Sequence, residues 1–180
     1  KTLLSFKDSL KRLQTDYIDL YLIHWPVKRK YKETYKALEK LYTEGRAKAI
    51  GVCNFDIQQL EDLMEYARIT PVLNQVEMHP HLSQNELLEF SKKHKIQLEA
   101  WRPIMMGEVL KIPELIEIGE FHSKSAVQVT LRWLVQRGVA AIPKSVTPKR
   151  IAENFKVYDF KLSTNQMEVI ESLNQNRRLG

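Results

Sequence analysis

The sequence has 180 residues, of which 43% are hydrophobic and 28% are charged, with a formal net charge of +6. This composition is typical of a soluble globular domain and excludes a disordered, fibrous or disulfide-stabilised chain. The single cysteine, Cys53, excludes an internal disulfide and a four-cysteine zinc site, and it favours a reducing, cytoplasmic location. No apolar run approaches the roughly 18 residues of a membrane span.

The positive net charge would suit any of three anionic partners: nucleic acid, a membrane surface or a phosphorylated ligand. The basic residues are scattered over helical segments, without a run of five or a known RNA-binding or zinc-finger pattern. We therefore expect neither nucleic acid nor membrane as a partner. A phosphorylated ligand and a merely solvated basic surface both stay open.

In chain order, an amphipathic helical pattern over Lys1–Leu13 comes first. Five short and continuously apolar runs follow it, and each predicts a buried strand of a parallel sheet. The predicted strands are Ile18–Ile23, Ala47–Val52, Val72–Val76, Ile96–Trp101 and Val139–Ile142.

Amphipathic helical patterns separate these strands. Tyr31 to Tyr42 forms one such pattern, which Gly45 ends, and Pro113 to Arg137 holds two, split near Ser123. Capping boxes are predicted at three helix starts: Asp56 with Gln59, Ser83 with Glu86, and Ser163 with Gln166.

Regular alternation of strand and helix predicts an α/β fold with a parallel sheet and right-handed crossovers. A doubly wound sheet and a (β/α) barrel are the two candidates. No G-x-G-x-x-G follows a strand, so nothing supports a Rossmann-type dinucleotide site. The P-loop motif is also absent, so a P-loop nucleotide site is excluded. A complete eight-unit barrel needs about 250 residues, whereas this chain supplies five or six units of roughly 30 residues each.

Ligands of α/β folds bind at the carboxyl ends of the strands, so the residues found there are the site candidates. His24 follows the first strand, Asn54 follows the second and Gln75 lies within the third. Trp101 ends the fourth strand, where it is either a core residue or a stacking surface for a planar ligand. His24 is likewise either a core histidine or a reactive group.

The fifth predicted strand leads directly into a helix. Thr147 is a favoured N-cap and Pro148 occupies the first helical position. A helix N-terminus attracts anions, and Lys144, Lys149 and Arg150 place three cations around it. A capped helix with solvated lysines would not explain Lys144 directly after the strand, so this turn predicts a phosphate site. The strand ends together predict a site for a phosphorylated planar cofactor.

Several long segments resemble the signatures of the aldo/keto reductase family, in the order of that family. The segments are Asp16–Pro26, Gly45–Phe55, Asn74–Glu77 and Ile142–Phe155. The resemblance extends from about Leu3 to the end of the sequence and is closest to bacterial reductases of small aldehydes and ketones. It implies a (β/α)8 TIM-barrel fold, NADP(H) as the cofactor and a small carbonyl compound as the substrate.

The resemblance also assigns individual roles. His24 corresponds to the catalytic histidine, which orients and polarises the substrate carbonyl. The cofactor-binding positions are Cys53, Asn54 and Gln75 at the nicotinamide carboxamide, Trp101 on the nicotinamide ring, Arg102 at the pyrophosphate, Lys144, Ser145, Thr147 and Arg150 at the 2′-phosphate, and Glu153 and Asn154 at the adenine. No metal site is predicted, because the spacing His79-x-His81 alone is a weak metal signal that a polar loop explains as well.

The sequence departs from the family pattern in two ways. Cys53 and Arg102 each occupy a usual serine position, and Arg102 would either pair with phosphate or crowd the site. Of the family's catalytic Asp, Tyr, Lys and His, only His24 is present. We therefore predict a single domain over residues 1–180 that forms a partial barrel of about five βα units, without the first three.

Three functional readings follow. The first is part of an NADPH-dependent reductase, with little activity in these 180 residues alone because the proton donor is missing. The second is a non-catalytic NADP-binding module, and the third is a remnant without function. The family is usually monomeric, but open barrel edges would favour self-association.

Overall fold

A computed structural model describes residues 2–180, so the predicted helix start at Lys1 lies outside the described residues. The strands are β1 (Ile18–Ile23), β2 (Ala47–Cys53), β3 (Leu73–Glu77), β4 (Gln97–Trp101) and β5 (Ala140–Ala141). The helices are α1 (Thr2–Leu13), α2 (Tyr31–Thr43), α3 (Ile57–Tyr66), α4 (Asn85–Lys93), α5 (Pro113–His122), α6 (Ala126–Gln136), α7 (Pro148–Phe155) and α8 (Thr164–Ser172). Within residues 2–180, no helix has the length and apolar character needed to cross a bilayer.

The chain divides into two compact units. The first contains the residues up to Gln75 together with Glu89–Gln97, and the second contains Val76–Leu88 together with Leu98–Gly180. The division falls within β3, α4 and β4, so each of these elements contributes residues to both units.

Parallel strand pairing organises the first unit. β1 pairs with β2 from Ile18 opposite Ala47 to Ile23 opposite Val52. β2 in turn pairs with β3, where Cys53 lies opposite Gln75. The helices α2 and α3 form the connections that parallel neighbours require. The buried residues of this unit include Phe6 of α1, Tyr35, Leu38 and Leu41 of α2, Ile50 of β2, and Leu60 and Leu63 of α3.

The second unit is built around α6 and the parallel pair β4–β5, in which Glu99 and Ala100 lie opposite Ala140 and Ala141. Trp133 of α6 is fully buried. Its indole Nε1 donates a hydrogen bond of 3.1 Å to Glu171 of α8. The buried Arg137 is 3.0 Å from the same carboxylate, so one ion pair joins α6 to α8.

The sequence predictions agree with most elements, and two of the three capping boxes are present. Asp56 with Gln59 opens α3, and Ser163 with Gln166 opens α8. The box predicted at Ser83 and Glu86 is wrong. Gln84 has a left-handed φ of 51°, α4 starts only at Asn85, and the buried Ser83 hydroxyl has no hydrogen-bond partner.

Two predicted strands differ from the structure in length or burial. β1 has the predicted bounds, but Asp19 and Leu20 are exposed and only Ile23 is buried. β5 is reduced to two residues, and Ile142 is 44% exposed. Apolar composition alone therefore overestimated the burial of the first and last strands. The 3-10 segment Met105–Lys111 was not predicted.

Gly51 of β2 lies close to both neighbouring strands, β1 and β3. A Cβ atom at this position would lie 2.5 Å from the carbonyl oxygen of Leu73 and 2.9 Å from Cδ2 of Leu22. The Leu73 oxygen belongs to the backbone of β3 and cannot rotate away. Only glycine therefore fits between the two neighbouring strands.

We expect Gly51→Ala to lower the free energy of unfolding by about 1–3 kcal/mol, the usual cost of overpacking. Ala49→Gly, two residues away on β2, removes a Cβ instead of adding one and is expected to cost about 0.5–1 kcal/mol. Urea denaturation of both variants measures the difference. Equal stability of Gly51→Ala and the parent protein would contradict this packing.

Candidate functional site

The second unit contains a cavity of about 600 Å³ beside the turn that joins β5 to α7. Three cationic side chains line it: Arg102 follows β4, Lys144 follows β5 and Arg150 lies in the first turn of α7. The same cavity is lined by three further residues predicted for the cofactor site, namely Ser145, Glu153 and Asn154. The structure thus brings six of the predicted residues together.

The N-terminus of α7 is open at this turn. Thr147 is the N-cap residue as predicted, but its side chain makes no capping hydrogen bond. The Ser145 hydroxyl instead accepts a hydrogen bond of 3.2 Å from the backbone N–H of Thr147. By contrast, capping boxes close the first turns of α3, α6 and α8. The first N–H groups of α7 therefore keep their capacity to bind an anion.

Lys149 provides a contrast to its two cationic neighbours in the sequence. Its side chain is 85% exposed and its Nζ lies 3.9 Å from Glu153. The cavity lining contains Lys144 and Arg150 but not Lys149. Two of the three cations that the sequence analysis grouped together therefore face the cavity.

Trp101 is the last residue of β4 and Arg102 directly follows it; of the two, Arg102 lines the cavity. Trp101 is half-buried, and the guanidinium carbon of Arg102 lies 5.3 Å from the centre of its ring. Arg102 has a left-handed φ of 51°, which turns the chain directly after the strand. Its Nη1 donates a hydrogen bond to the carbonyl oxygen of Leu179.

In the first unit, Asn54 connects the ends of β1 and β2 to β3. Its side-chain amide donates a hydrogen bond of 3.0 Å to the carbonyl oxygen of His24. Its backbone N–H donates a hydrogen bond of 2.9 Å to the backbone carbonyl oxygen of Gln75. Asn54 has a left-handed φ of 64°, a conformation that asparagine tolerates better than most residues. The imidazole of His24 is exposed, and Cys53 is buried opposite Gln75 in the strand register.

Asn74 is a residue of this region that the sequence analysis did not single out. Its side chain is fully buried. Its amide NH2 donates a hydrogen bond of 2.9 Å to the carbonyl oxygen of Phe55. Its amide oxygen accepts a hydrogen bond of 3.4 Å from the N–H of Phe55. Asn74 thereby holds the backbone that directly follows Asn54. A polar residue in an otherwise apolar strand was the signal that could have identified it.

The 3-10 segment also contributes cavity residues that the sequence analysis did not assign to the site. Met106, Gly107 and Leu110 line the cavity of the second unit. Met106 and Gly107 both have positive φ, at 54° and 99°. The only local signal was a glycine after two methionines, which does not distinguish a cavity wall from an ordinary loop.

Tyr31, Lys32 and Asp62 form a hydrogen-bonded group between α2 and α3. The Tyr31 hydroxyl donates to Asp62, and the Lys32 ammonium lies 2.7 Å from the same carboxylate. Burial and the hydrogen bond to Asp62 raise the pKa of Tyr31 to about 12. The shared carboxylate of Asp62 therefore joins α2 to α3.

Comparison with known proteins identifies the family. The aldo/keto reductase family model matches residues 2–175. The chain belongs to the aldo/keto reductase family. It is 53% identical to the glyoxal reductase of Bacillus subtilis (strain 168), over 99% of this chain and 65% of that protein. It is 45% identical to the methylglyoxal reductase DkgA of Escherichia coli (strain K12), over 96% of this chain and 64% of that protein.

A solved structure supports the same fold. The chain matches the crystal structure of a Gox0644 mutant in complex with NADPH, with a TM-score of 0.95 and 43% identity. The match covers 99% of this chain and 67% of that one. The family and the α/β fold with a parallel sheet that the sequence predicted are confirmed, and the TIM-barrel type is consistent with them.

The chain spans about two thirds of the length of these proteins. A partial barrel of five units, a single domain over residues 1–180 and the roles of the individual site residues stay predictions.

We expect Asn74→Ala to lower the free energy of unfolding by about 1–3 kcal/mol, because the N–H and the carbonyl of Phe55 lose their buried partner. Asn165→Ala, at an exposed position of α8, is the matched control and should change stability little. Chemical denaturation of both variants measures the effect. Equal stability of the two variants would show that Asn74 does not hold the turn after β2.

Proposed function

We propose that this aldo/keto reductase chain is part of an NADPH-dependent enzyme that reduces small dicarbonyl aldehydes and related ketones to alcohols. The glyoxal reductase and methylglyoxal reductase relatives support this substrate class. The observation that carries the proposal is the cation-lined cavity at the open N-terminus of α7. A cytoplasmic location and one domain over residues 1–180 are part of the same proposal.

The residues of the cavity fit a dinucleotide with a 2′-phosphate. Arg102, Lys144 and Arg150 face it, against the single carboxylate of Glu153. An uncapped helix N-terminus adds N–H donors and a partial positive charge at the same place. A volume of about 600 Å³ is in the usual range of small-molecule sites.

The roles proposed for the individual residues come from the resemblance to the aldo/keto reductase signatures, and the cavity supports those of its own lining residues. Lys144, Ser145, Thr147 and Arg150 hold the 2′-phosphate, Glu153 and Asn154 contact the adenine, and Arg102 pairs with the pyrophosphate. Trp101 supplies an aromatic surface for the nicotinamide ring, whose carboxamide is held by Cys53, Asn54 and Gln75. When bound, NADPH supplies the hydride.

His24 is the proposed catalytic residue of this chain. Its exposed imidazole follows β1, and the Asn54 amide fixes its carbonyl oxygen. An imidazole N–H can donate to the oxygen of a substrate carbonyl and polarise it. The acid that gives a proton to that oxygen is a tyrosine in the family, and none of the family's Asp, Tyr and Lys positions lies in these 180 residues.

An NADP-binding module without chemistry is the second candidate. It is favoured by one observation, namely that all the residues of the cation-lined cavity belong to a single compact unit. Binding through this cavity requires no proton donor. Affinity for the dinucleotide without turnover is therefore the signature of this alternative.

We expect Arg150→Ala to weaken NADPH binding about 10- to 100-fold, because it removes a charged hydrogen-bond donor from the 2′-phosphate. NADH affinity should change less than about twofold, because NADH lacks that phosphate. Isothermal titration calorimetry measures both values.

Lys149→Ala is the matched control for this variant. It removes the same charge from the adjacent position, whose side chain lies outside the cavity lining. Its NADPH affinity should stay close to that of the parent protein. Equal losses in Lys149→Ala and Arg150→Ala would indicate a general effect of charge rather than a phosphate site.

We expect a polypeptide restricted to these 180 residues to reduce methylglyoxal no faster than the background reaction. Its only member of the family's catalytic set is His24, so the proton donor is missing. The decrease in NADPH absorbance measures the rate. Turnover above that of a protein-free control, abolished by His24→Ala, would show that another group in this chain supplies the proton.

A further inference from the structure

The segment from Asn174 to Gly180, which we call the strap, lies along the loop that follows β3. The backbone N–H groups of Gln175 and Arg177 both donate 3.1 Å hydrogen bonds to the carbonyl oxygen of His81. The Asn174 side chain accepts a hydrogen bond of 3.1 Å from the N–H of Ser83. Side chain and backbone together therefore attach the strap to this loop.

Leu179 is held from both sides by charged side chains. Its N–H donates a hydrogen bond of 2.7 Å to Oε1 of Glu77, which ends β3. Its carbonyl oxygen accepts a hydrogen bond from Nη1 of Arg102, which follows β4. Hydrogen bonds to charged partners are stronger than those between neutral groups, so this peptide is firmly placed.

The carboxylate of Glu77 lies in a buried position from which it can hold Leu179 in place. Its side chain is fully buried. The imidazole Nε2 of His79, also fully buried, lies 3.4 Å from the carboxylate oxygen that accepts from Leu179. Burial lowers the pKa of His79, which favours a neutral imidazole. The backbone donor from the strap is thus a principal partner of a carboxylate that has no access to water.

The strap also determines the surroundings of Arg102 and Trp101. A Cβ atom at Gly180 would lie 3.0 Å from the guanidinium carbon of Arg102 and 3.1 Å from Cη2 of Trp101. The strap therefore packs directly against both side chains. Arg102 has five N–H donors and gives one to Leu179, so others remain for a ligand in the cavity that it lines with Lys144.

We propose that Glu77 is a positioning residue for the binding of a dinucleotide phosphate. Glu77 holds the N–H of Leu179, and the carbonyl oxygen of Leu179 in turn holds Arg102 in the cation-lined cavity. This inference rests on the proposed function. The ligand group is the pyrophosphate or another phosphate of the dinucleotide. An arginine fixed in advance loses less side-chain entropy on binding than a mobile one.

Leu179→Pro tests the proposal by a single backbone change. Proline has no N–H for Glu77, but it retains the carbonyl group that accepts from Arg102. We expect NADPH affinity to fall roughly 2- to 10-fold, the usual cost of ordering one long side chain. Leu179→Ala is the matched control, since it shortens the side chain but keeps the N–H, and its NADPH affinity should change less.

A double-mutant cycle shows whether the effect passes through Arg102. Leu179→Pro should have no further effect on NADPH affinity in an Arg102→Ser background. Glu77→Gln keeps an acceptor oxygen and should retain affinity, whereas Glu77→Leu should lose it to the same extent as Leu179→Pro. Hydrogen exchange of the strap in the free protein should be faster in Leu179→Pro and Glu77→Leu than in the parent protein.

The outcomes separate this inference from the proposed function. If the parent protein does not bind NADPH, the proposed function is refuted, and with it the role of Glu77. If the parent binds NADPH and Leu179→Pro binds it as tightly as Leu179→Ala does, only the role of Glu77 is overturned. The same conclusion follows if Leu179→Pro weakens binding equally with and without Arg102.

Discussion

Parallel strand pairing is the constraint on which the rest of this structure depends. A parallel neighbour cannot be reached by a tight turn, so each strand must be followed by a crossover, and paired strands end at a common edge. In the first unit this rule brings His24 and Asn54 to adjacent strand ends, beside Gln75 of β3. In the second unit it brings the residues after β4 and β5 to one cavity.

The residues at these strand ends hold the backbone in place and also take part in the proposed ligand binding. Asn54 adopts a left-handed conformation and joins its neighbours through its amide and its N–H. Arg102 turns the chain after β4, lines the cavity and holds Leu179. Substitutions at such positions change structure and binding together, so the tests above use neighbouring residues and backbone donors as controls.

Several features set by nearby residues were predictable from the sequence, whereas features set by distant contacts were not. The capping boxes at Asp56 and Ser163, and the cations around the α7 turn, lie within a few residues of one another and were predicted. The box at Ser83 failed because Gln84 turns left-handed and moves the helix start. The bond between Glu77 and Leu179 spans 102 positions, and no local pattern could reveal it.

The most direct test of this account is to titrate the protein calorimetrically with NADPH and with NADH, which differ only in the 2′-phosphate. If the cavity at the N-terminus of α7 holds that phosphate, NADPH binds at least about tenfold more tightly than NADH, as expected for one or more charged hydrogen bonds. Equal affinity for both dinucleotides, or binding of neither, would contradict a 2′-phosphate site formed by Lys144 and Arg150.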